Sequence, residues 1–245
     1  MERPAQAVTF DFHNTLAHCD KWFQLEIRNL VPAFLDWLAD STHSGRLPVS
    51  DADASASYRR LRLEIMEHGM EVDAVSCVDF VTREFGYPLE RDTICAGVCA
   101  IMRETLSDAS PVPGAVDAVR HLHAQGIRLG VVSSAAYHPF LEWSLEKFGI
   151  LDAFDSIITS ASCGYYKTRT EIYSVALDAL QVPAENLIHV GDSHRFDVET
   201  SSRLGIRTIW FNRDGDSEQV SSATESVTSL CGVEHVATRL LRGSA

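Results

Sequence analysis

The sequence is poor in positive charge and in long apolar runs. It contains only three lysines beside eighteen arginines, and its formal net charge at pH 7 is −13. Nucleic acids and anionic membrane surfaces bind proteins through clustered positive side chains, so the charge balance argues against both as partners. No uninterrupted apolar run approaches the ~20 residues that a membrane-spanning helix needs.

Features of secreted proteins are also missing. The amino-terminal segment runs directly into a short apolar strand pattern, without a basic stretch followed by an apolar signal core. The six cysteines form no CxxC pair, and Cys95 and Cys99 lie four residues apart, on one face of a predicted helix. Small buried thiols in a reducing compartment explain them better than a disulfide or a metal site. We therefore expect a cytoplasmic protein.

What the sequence does contain is a regular alternation of strand and helix patterns. The predicted strands are residues 7–10, 127–132, 156–159, 187–190 and 206–211. Helical periodicity fills the segments between the last four, at 115–124, 138–148, 170–180 and 195–204. This alternation predicts an α/β fold with a doubly wound, Rossmann-like parallel sheet and right-handed crossovers.

One gap interrupts this rhythm. More than a hundred residues separate the first two predicted strands, and most have helical patterning, with candidate helices at 21–39, 55–67, 72–85 and 91–107. Pro32 is expected to break or start a helix inside the first of these, and the composition of 41–50 indicates a loop. We therefore predict an α-helical cap domain at 17–109, inserted into an α/β core formed by 1–16 and 110–245.

Polar residues follow four of the predicted strands. In chain order they are Asp11, Ser133 and Ser134, Lys167, and then Asp192 with Asp197 five residues later. Ligands of open parallel sheets bind outside the carboxyl ends of the strands. The predicted sheet would therefore bring these separate segments to one edge.

These side chains have a coherent chemistry. Carboxylates without a His/Cys cluster suit a hard cation such as Mg²⁺, and a hydroxyl and a lysine suit the oxygens of a phosphoryl group. The metal and the lysine would neutralise charge that otherwise repels an attacking carboxylate. A carboxylate can itself be the nucleophile and form an aspartyl-phosphate. The set predicts a magnesium-dependent hydrolase of a small phosphorylated metabolite.

Four ordered motifs resemble the haloacid dehalogenase-like hydrolase superfamily, in the branch whose helical cap follows the first motif. VTFDFHNTL is similar to its first motif, and PGAVDAVRHLHAQGIRLGVVSS to the helix and strand that lead to its Ser/Thr motif. GYYKTRTEIY is similar to the lysine motif, and HVGDSHRFDVETSSRLGIRTIWFNR to the acidic motif. The resemblance covers residues 8–16 and 110–215, while the cap matches only in position and helical character.

The resemblance implies a set of metal ligands. Asp11 would be the nucleophile and a ligand of Mg²⁺, together with the backbone carbonyl of His13 and the carboxylate of Asp192. Asp197 would support the metal or its waters and orient Lys167.

The resemblance also implies phosphate-binding residues. Ser133 and Lys167 would bind the phosphoryl oxygens. The register of the motif favours Ser133 over the neighbouring Ser134. Thr15 would help to hold the first loop.

Position 13 departs from the pattern of the family's phosphatases, which usually carry aspartate there as a general acid and then a general base. Histidine can also transfer protons. A nearby divalent cation disfavours the imidazolium, so the acid role of His13 should weaken while its base role survives. We therefore expect phosphatase activity that is slow or depends on the leaving group.

Simpler explanations remain open for single residues. Asp11 alone could be a turn residue after a strand. Asp192 or Ser193 could cap the following helix. Asp197 could be a solvated carboxylate in the first turn that interacts favourably with the helix dipole. Lys167 could be an ordinary surface lysine.

Aromatic residues of the cap could line the cleft between cap and core, namely Trp22, Phe23, Trp37 and Tyr58. Packing inside the cap explains them better. Arginines at 59, 60 and 62 could reach an anionic substrate, although a solvated helix face is more typical of such a run.

Two other functions compete with a phosphatase. A C–halogen hydrolase of the same superfamily also uses an aspartate nucleophile and lacks aspartate at the second motif position. Such enzymes need no metal, and retention of Gly191 and Asp192 therefore favours phosphate chemistry. The other alternative is a catalytically weak protein that binds phosphorylated ligands or a partner protein through its cap.

Overall fold

The computed structural model describes residues 5–42, 45–213, 215 and 222–243. The strands of this part of the chain are β1 (Ala7–Phe10), β2 (Ala17–His18), β3 (Ser110–Pro111), β4 (Arg128–Ser133), β5 (Ser156–Thr159), β6 (Leu187–Gly191), β7 (Arg207–Phe211) and β8 (Glu225–Val227). Six of them form one parallel sheet in the order β5-β4-β1-β6-β7-β8. The predicted doubly wound α/β fold is confirmed.

The helices are α1 (Asp20–Gln24), α2 (Leu30–Thr42), α3 (Asp51–His68), α4 (Ala74–Glu84), α5 (Arg91–Thr105), α6 (Ala115–Ala124), α7 (His138–Lys147), α8 (Ser160–Cys163), α9 (Glu171–Leu180), α10 (Thr200–Ser202) and α11 (Val233–Arg242). Two π-helical turns occupy Leu25–Asn29 and His194–Glu199. Within the described ranges, no helix combines the length and apolarity that crossing a membrane would require.

Strand β1 lies inside the sheet and is buried on both faces. All four of its residues are buried, and Phe10 aligns with Val131 of β4 on one side and with Val190 of β6 on the other. From β1 the chain winds through β4 and β5 in one direction and through β6, β7 and β8 in the other. The winding direction therefore reverses between β1 and β6, where sheets of this kind open a ligand-binding crevice.

The helices α1 to α5 lie between β2 and β3, two short strands that pair antiparallel where the chain leaves and rejoins the sheet. Local signals set the helix ends. Ser50 caps α3 by accepting a hydrogen bond from the backbone of Asp53 (3.1 Å), and Gly69 ends α3 in the left-handed conformation (φ 73°). The domain boundaries 17–109 and 1–16 plus 110–245 stay predictions.

Two predicted helices are interrupted by wider turns. The pattern at 21–39 predicts one helix with a break near Pro32, whereas the structure has α1, the π-helical turn Leu25–Asn29 and then α2. Pro32 has no N–H for the carbonyl of Arg28, which lies in the wide turn four residues earlier. The pattern at 195–204 likewise becomes the turn His194–Glu199 followed by α10.

Candidate active site

Asp11 and Asp192 follow neighbouring strands at the reversal of the sheet. The backbone N–H of Asp11 donates to the carbonyl of Val190 (2.8 Å), which extends the β1–β6 pairing to the start of the loop. Asp192 follows the last residue of β6. Together with Asp197 they form a cluster in which one carboxylate oxygen of each lies within 4.8 Å of the others.

Lys167 lies inside this cluster. Its amine is 2.5 Å from Asp11 Oδ1 and 2.6 Å from Asp197 Oδ1, and the residue is only 2% exposed. The backbone N–H of Lys167 donates to the hydroxyl of Ser134 (3.1 Å), which ties the lysine loop to the end of β4. Lys167 is therefore a buried partner of two carboxylates and not a surface lysine.

Asp197 is held by contacts on both of its oxygens. Oδ1 receives the Lys167 amine and lies 3.1 Å from His189 Nε2, while Oδ2 accepts the backbone N–H of Ser193 (2.9 Å). The hydroxyl of Tyr173 lies 3.2 Å from the same His189 nitrogen. These contacts place Asp197 in the floor of the cluster, so it is not merely a solvated first-turn carboxylate.

Gly191 is required by the close approach of Asp197. A Cβ atom at this position would lie 2.3 Å from Asp197 Cγ, far inside van der Waals contact. The glycine of the Gly191-Asp192 pair therefore makes room for the carboxylate that holds Lys167.

Two buried carboxylates and the partly buried Asp192 around one lysine leave a surplus of negative charge. Burial raises the pKa of Asp11 to about 8. The charge of Lys167 opposes this increase, while the negative charges of Asp197 and Asp192 add to it. Burial, with Asp197 adding to it, raises the pKa of Asp192 to about 6. Burial also favours the neutral form of Asp197, but Lys167 and His189 outweigh it and hold the pKa of Asp197 below its ordinary value.

The cluster fits a hard divalent cation. Its donors are all carboxylate oxygens, which Mg²⁺ prefers, and a cation would neutralise the surplus charge that raises the pKa values of Asp11 and Asp192. The oxygens of Asp197 are already engaged by Lys167, His189 and Ser193. Asp11 and Asp192 are therefore the side chains best placed to hold the ion.

His13 lies in the loop after β1 with its ring enclosed. The imidazole stacks on Phe23 of the cap, with ring centroids 4.2 Å apart and planes at 13°, and Nε2 is 3.7 Å from Asp20 Oδ1. Burial lowers the pKa of His13 to about 4, with Asp20 opposing the decrease. Asn14 turns the loop in the left-handed conformation (φ 62°), which asparagine tolerates better than most residues.

The two serines after β4 have different environments. Ser133 is 3% exposed and lines the cavity described below. The hydroxyl of Ser134 accepts the backbone N–H of Lys167. Thr15 is fully buried behind the loop, and its hydroxyl is unpartnered among the described residues.

A cavity of about 290 Å³, which we call the aspartate cavity, brings the predicted residues together. Its wall includes all of them except Thr15, namely Asp11, His13, Ser133, Ser134, Lys167, Asp192 and Asp197. The cap contributes Trp22 and Phe23, as the sequence allowed. Trp37 and Tyr58 do not line it, and the Tyr58 hydroxyl donates to the Glu26 carbonyl (3.0 Å).

Comparison with known proteins agrees with this arrangement. The sequence matches the haloacid dehalogenase-like hydrolases over residues 5–205. The chain belongs to this family. The resemblance found in the four motifs is thereby confirmed, and the protein is a hydrolase.

Relatives of this haloacid dehalogenase-like hydrolase include two kinds of enzyme. The glyceraldehyde 3-phosphate phosphatase of Pyrococcus abyssi is 28% identical over 207 residues, or 84% of this chain and 81% of the relative. The (S)-2-haloacid dehalogenase of Pseudomonas putida is 32% identical over 114 residues, or 45% of this chain and 49% of the relative. A crystal structure of a HAD phosphatase from Thermococcus onnurineus shares the fold, with a TM-score of 0.64, 21% identity and coverage of 94% and 97%.

Two residues of this hydrolase's site escape prediction from the sequence. His189 stands in the middle of the apolar strand β6, and an isolated polar residue in a buried strand is the one signal that could have found it. Tyr173 reaches the site from α9.

The sequence allowed either Asp192 or Ser193 as the cap of the following helix. Ser193 caps the turn that carries Asp197 by accepting the backbone N–H of Phe196 (3.3 Å), so Ser193 and not Asp192 is the helix cap.

A second cavity of about 430 Å³ continues from the aspartate cavity, and we call it the adjoining cavity. The two share wall residues from cap and core, namely Phe23, Ile27, Met66, Ser134 and Tyr166. Beyond these, the adjoining cavity is lined by charged side chains of the cap, namely Glu26, Arg28, Arg59 and Arg62. Space for a substrate therefore extends from Asp11 beneath the cap.

Proposed function

We propose that this protein is a magnesium-dependent phosphatase that hydrolyses a small phosphate monoester with Asp11 as the nucleophile. The observation that carries this proposal is the position of Asp11 beside Lys167 and Asp192 on the wall of one cavity. Phosphoryl transfer depends mainly on positioning and on neutralising charge, and this arrangement offers both.

Asp11 is oriented for attack by its contact with Lys167. The lysine holds Oδ1, which leaves Oδ2 to form the new bond to phosphorus. As this bond forms, the bond from phosphorus to the ester oxygen breaks, and the ester oxygen leaves as an alkoxide that takes its proton from solvent. The product of this step is an aspartyl-phosphate on Asp11.

The other residues stabilise the phosphoryl oxygens. The Lys167 ammonium and the Ser133 hydroxyl both line the aspartate cavity, where they can donate hydrogen bonds to the phosphoryl group. Mg²⁺ bound by Asp11, Asp192 and the backbone carbonyl of His13 would supply additional neutralisation of phosphoryl charge. Asp197 acts indirectly, because it keeps the Lys167 amine in place.

His13 would serve the second half of the reaction. Its enclosed ring favours the neutral imidazole, which can accept a proton from the water that attacks the aspartyl-phosphate. This attack breaks the bond between phosphorus and Asp11 and releases inorganic phosphate. A neutral imidazole lends no proton to the departing alcohol, so we expect esters of poor leaving groups to react slowly.

The phosphatase relative from Pyrococcus abyssi supports this proposal because it aligns over most of both chains. The dehalogenase relative aligns over only about half of each chain. Dehalogenation needs no cation, and the three-carboxylate cluster would then have no partner for its surplus charge. A phosphate monoester of a small metabolite is therefore the favoured substrate.

The decisive experiment is turnover of p-nitrophenyl phosphate with Mg²⁺ and with EDTA, using Asp11→Asn as the blank. We expect magnesium-dependent release of phosphate that the variant lacks. Chloride release from (S)-2-chloropropionate without metal would instead establish the dehalogenase. Absence of a magnesium-dependent difference across a panel of phosphomonoesters would favour a protein that only binds its ligands.

A further inference from the structure

The adjoining cavity contains a buried carboxylate with an unused oxygen. Glu26 is 4% exposed, and its Oε2 accepts the backbone N–H of Ala136 in the core (2.8 Å). Its Oε1 is buried and has no hydrogen-bond partner among the described residues. Buried polar atoms are nearly always paired, so an unpaired acceptor on a cavity wall indicates a missing donor.

The nearest cation is already engaged by another carboxylate. Arg62 binds Glu71 through both of its terminal nitrogens, and both side chains are almost fully buried. Glu71 also accepts the hydroxyl of Ser160 from the core. Glu26 and Glu71 are therefore two carboxylates beside the single guanidinium of Arg62. Because Arg62 binds Glu71, one oxygen of Glu26 is left without a protein donor in the described part of the chain.

The backbone at Glu26 is also unusual. Glu26 and Ile27 lie in the π-helical turn Leu25–Asn29, and both line the adjoining cavity. The other π-helical turn of the described residues, His194–Glu199, carries the buried carboxylate of Asp197. Such turns are rare and occur frequently at functional sites, and here each one brings a buried acid to the same continuous space.

A donor is missing its partner as well. Trp22, four residues before Glu26, is 1% exposed and lines the aspartate cavity. Its ring stacks on Phe140 at a centroid distance of 4.9 Å, but its indole N–H has no acceptor among the described residues. One residue on the wall of the aspartate cavity thus carries an unused donor, and one residue on the wall of the adjoining cavity carries an unused acceptor.

We infer that Trp22 and Glu26 are specificity-determining residues that bind hydroxyl groups of the leaving group, so that the substrate is the phosphate ester of a sugar or another polyol. The inference rests on the proposed function for the reaction at Asp11. A hydroxyl group can satisfy either atom, because it can accept from the indole N–H or donate to the carboxylate. An ammonium group would satisfy only Glu26, and an alkyl chain would satisfy neither.

The test compares esters that differ in their hydroxyl groups. Glucose 6-phosphate is paired with cyclohexylmethyl phosphate, and glycerol 1-phosphate with propyl phosphate. For each pair the ratio of kcat/KM is measured for the wild type, Glu26→Gln and Trp22→Phe. Dissociation constants of the same esters are measured on Asp11→Asn, alone and combined with each substitution.

Two substitutions in the cap serve as matched controls. Glu64 is a half-exposed glutamate of α3, and Trp37 packs on Phe34; neither residue lines either cavity. Glu64→Gln and Trp37→Phe should leave the ratios unchanged. The two test substitutions are conservative in shape, and Trp22→Phe keeps a ring on Phe140, so the variants should remain folded.

We expect the preference for the hydroxylated ester to fall about tenfold or more in Glu26→Gln, and severalfold in Trp22→Phe. A purely structural role would instead lower kcat/KM equally for both esters of a pair. The ratio of kcat/KM would then stay unchanged in both variants, and that result would overturn the inference. If the wild type hydrolyses no ester but the binding ratios on Asp11→Asn still fall, the inference stands and the phosphatase proposal fails.

Discussion

Asp197 Oδ1 lies 2.6 Å from the amine of Lys167, and both side chains are almost completely buried. Replacing Asp197 with asparagine removes the charge that holds the amine beside Asp11. We expect kcat of Asp197→Asn to fall about a hundredfold, with a smaller change in KM, because the positioned cation acts on the transition state. The exposed Asp178→Asn on α9 is the control. A wild-type kcat in Asp197→Asn would contradict a positioning role.

Binding of Mg²⁺ can be measured without turnover. The three carboxylates repel one another, so a bound cation should stabilise the folded state. At a free concentration one hundred times Kd, we expect Mg²⁺ to raise Tm by roughly 5–10 °C, and EDTA to reverse the increase. Asp192→Asn should abolish the shift, whereas the exposed Asp117→Asn should keep it. An undiminished shift in Asp192→Asn would place the ion elsewhere.

His13 should limit esters of poor leaving groups more than p-nitrophenyl phosphate. Aspartate in its place would restore a group that can protonate the departing alcohol, so we expect His13→Asp to raise kcat for an alkyl phosphate more than for p-nitrophenyl phosphate. The exposed His121→Asp on α6 controls for the change of charge. Turnover of His13→Asp as low as that of Asp11→Asn would show that histidine is not a weakened substitute for aspartate.

Gly191 should not tolerate a side chain. The added Cβ of Gly191→Ala would lie 2.3 Å from Asp197 Cγ and would push that carboxylate away from Lys167. We expect a loss of about 1–3 kcal/mol in the free energy of unfolding, together with a loss of turnover. Gly243→Ala, whose Cβ would meet nothing closer than 3.7 Å, should change stability by less than about 0.5 kcal/mol. Urea unfolding of both variants measures the difference.

Glu26 should make stability depend on pH. Burial raises the pKa of Glu26 from 4.5 to about 7, against the pull of Arg62. Between these values the folded state keeps a proton that the unfolded state has lost, so this residue's contribution to stability declines as pH rises through that interval.

Glu26→Gln cannot titrate. Its stability relative to the wild type should therefore rise between pH 5 and pH 8, by up to about 3 kcal/mol. Urea unfolding of both proteins at the two pH values measures this change. A pH-independent difference between Glu26→Gln and the wild type would mean that Glu26 is ionised throughout.

The sequence predicts the part of the site that the sheet builds. Asp11 and Asp192 each follow a strand, and parallel strands end at a common edge, so strand patterns alone bring them together. Ser133 is the last residue of β4, one position beyond the predicted end of that strand, and it still lies at the same edge. The alternation of strands and helices was sufficient for this prediction because it fixes the topology.

The part of the site that depends on helix packing could not be predicted. Glu26 reaches the adjoining cavity from a π-helical turn, and a 3.6-residue periodicity does not distinguish such a turn from regular helix. Tyr173 meets His189 only because α9 packs against the sheet, a contact that no local pattern contains. The strand Glu225–Val227 is three residues long and partly exposed, so it lacks the apolar run that marks the others.

The pairing of β2 with β3 has a consequence for how such a protein can change. His18 and Ser110 face each other in this small sheet, so the segment between them begins and ends at neighbouring points of the backbone. A tight hairpin turn could join these two points directly. Another segment whose ends lie close together could also replace the segment between them, without altering the large sheet. The region that we propose to select the substrate is thus physically exchangeable, while the aspartates of the site stay where they are.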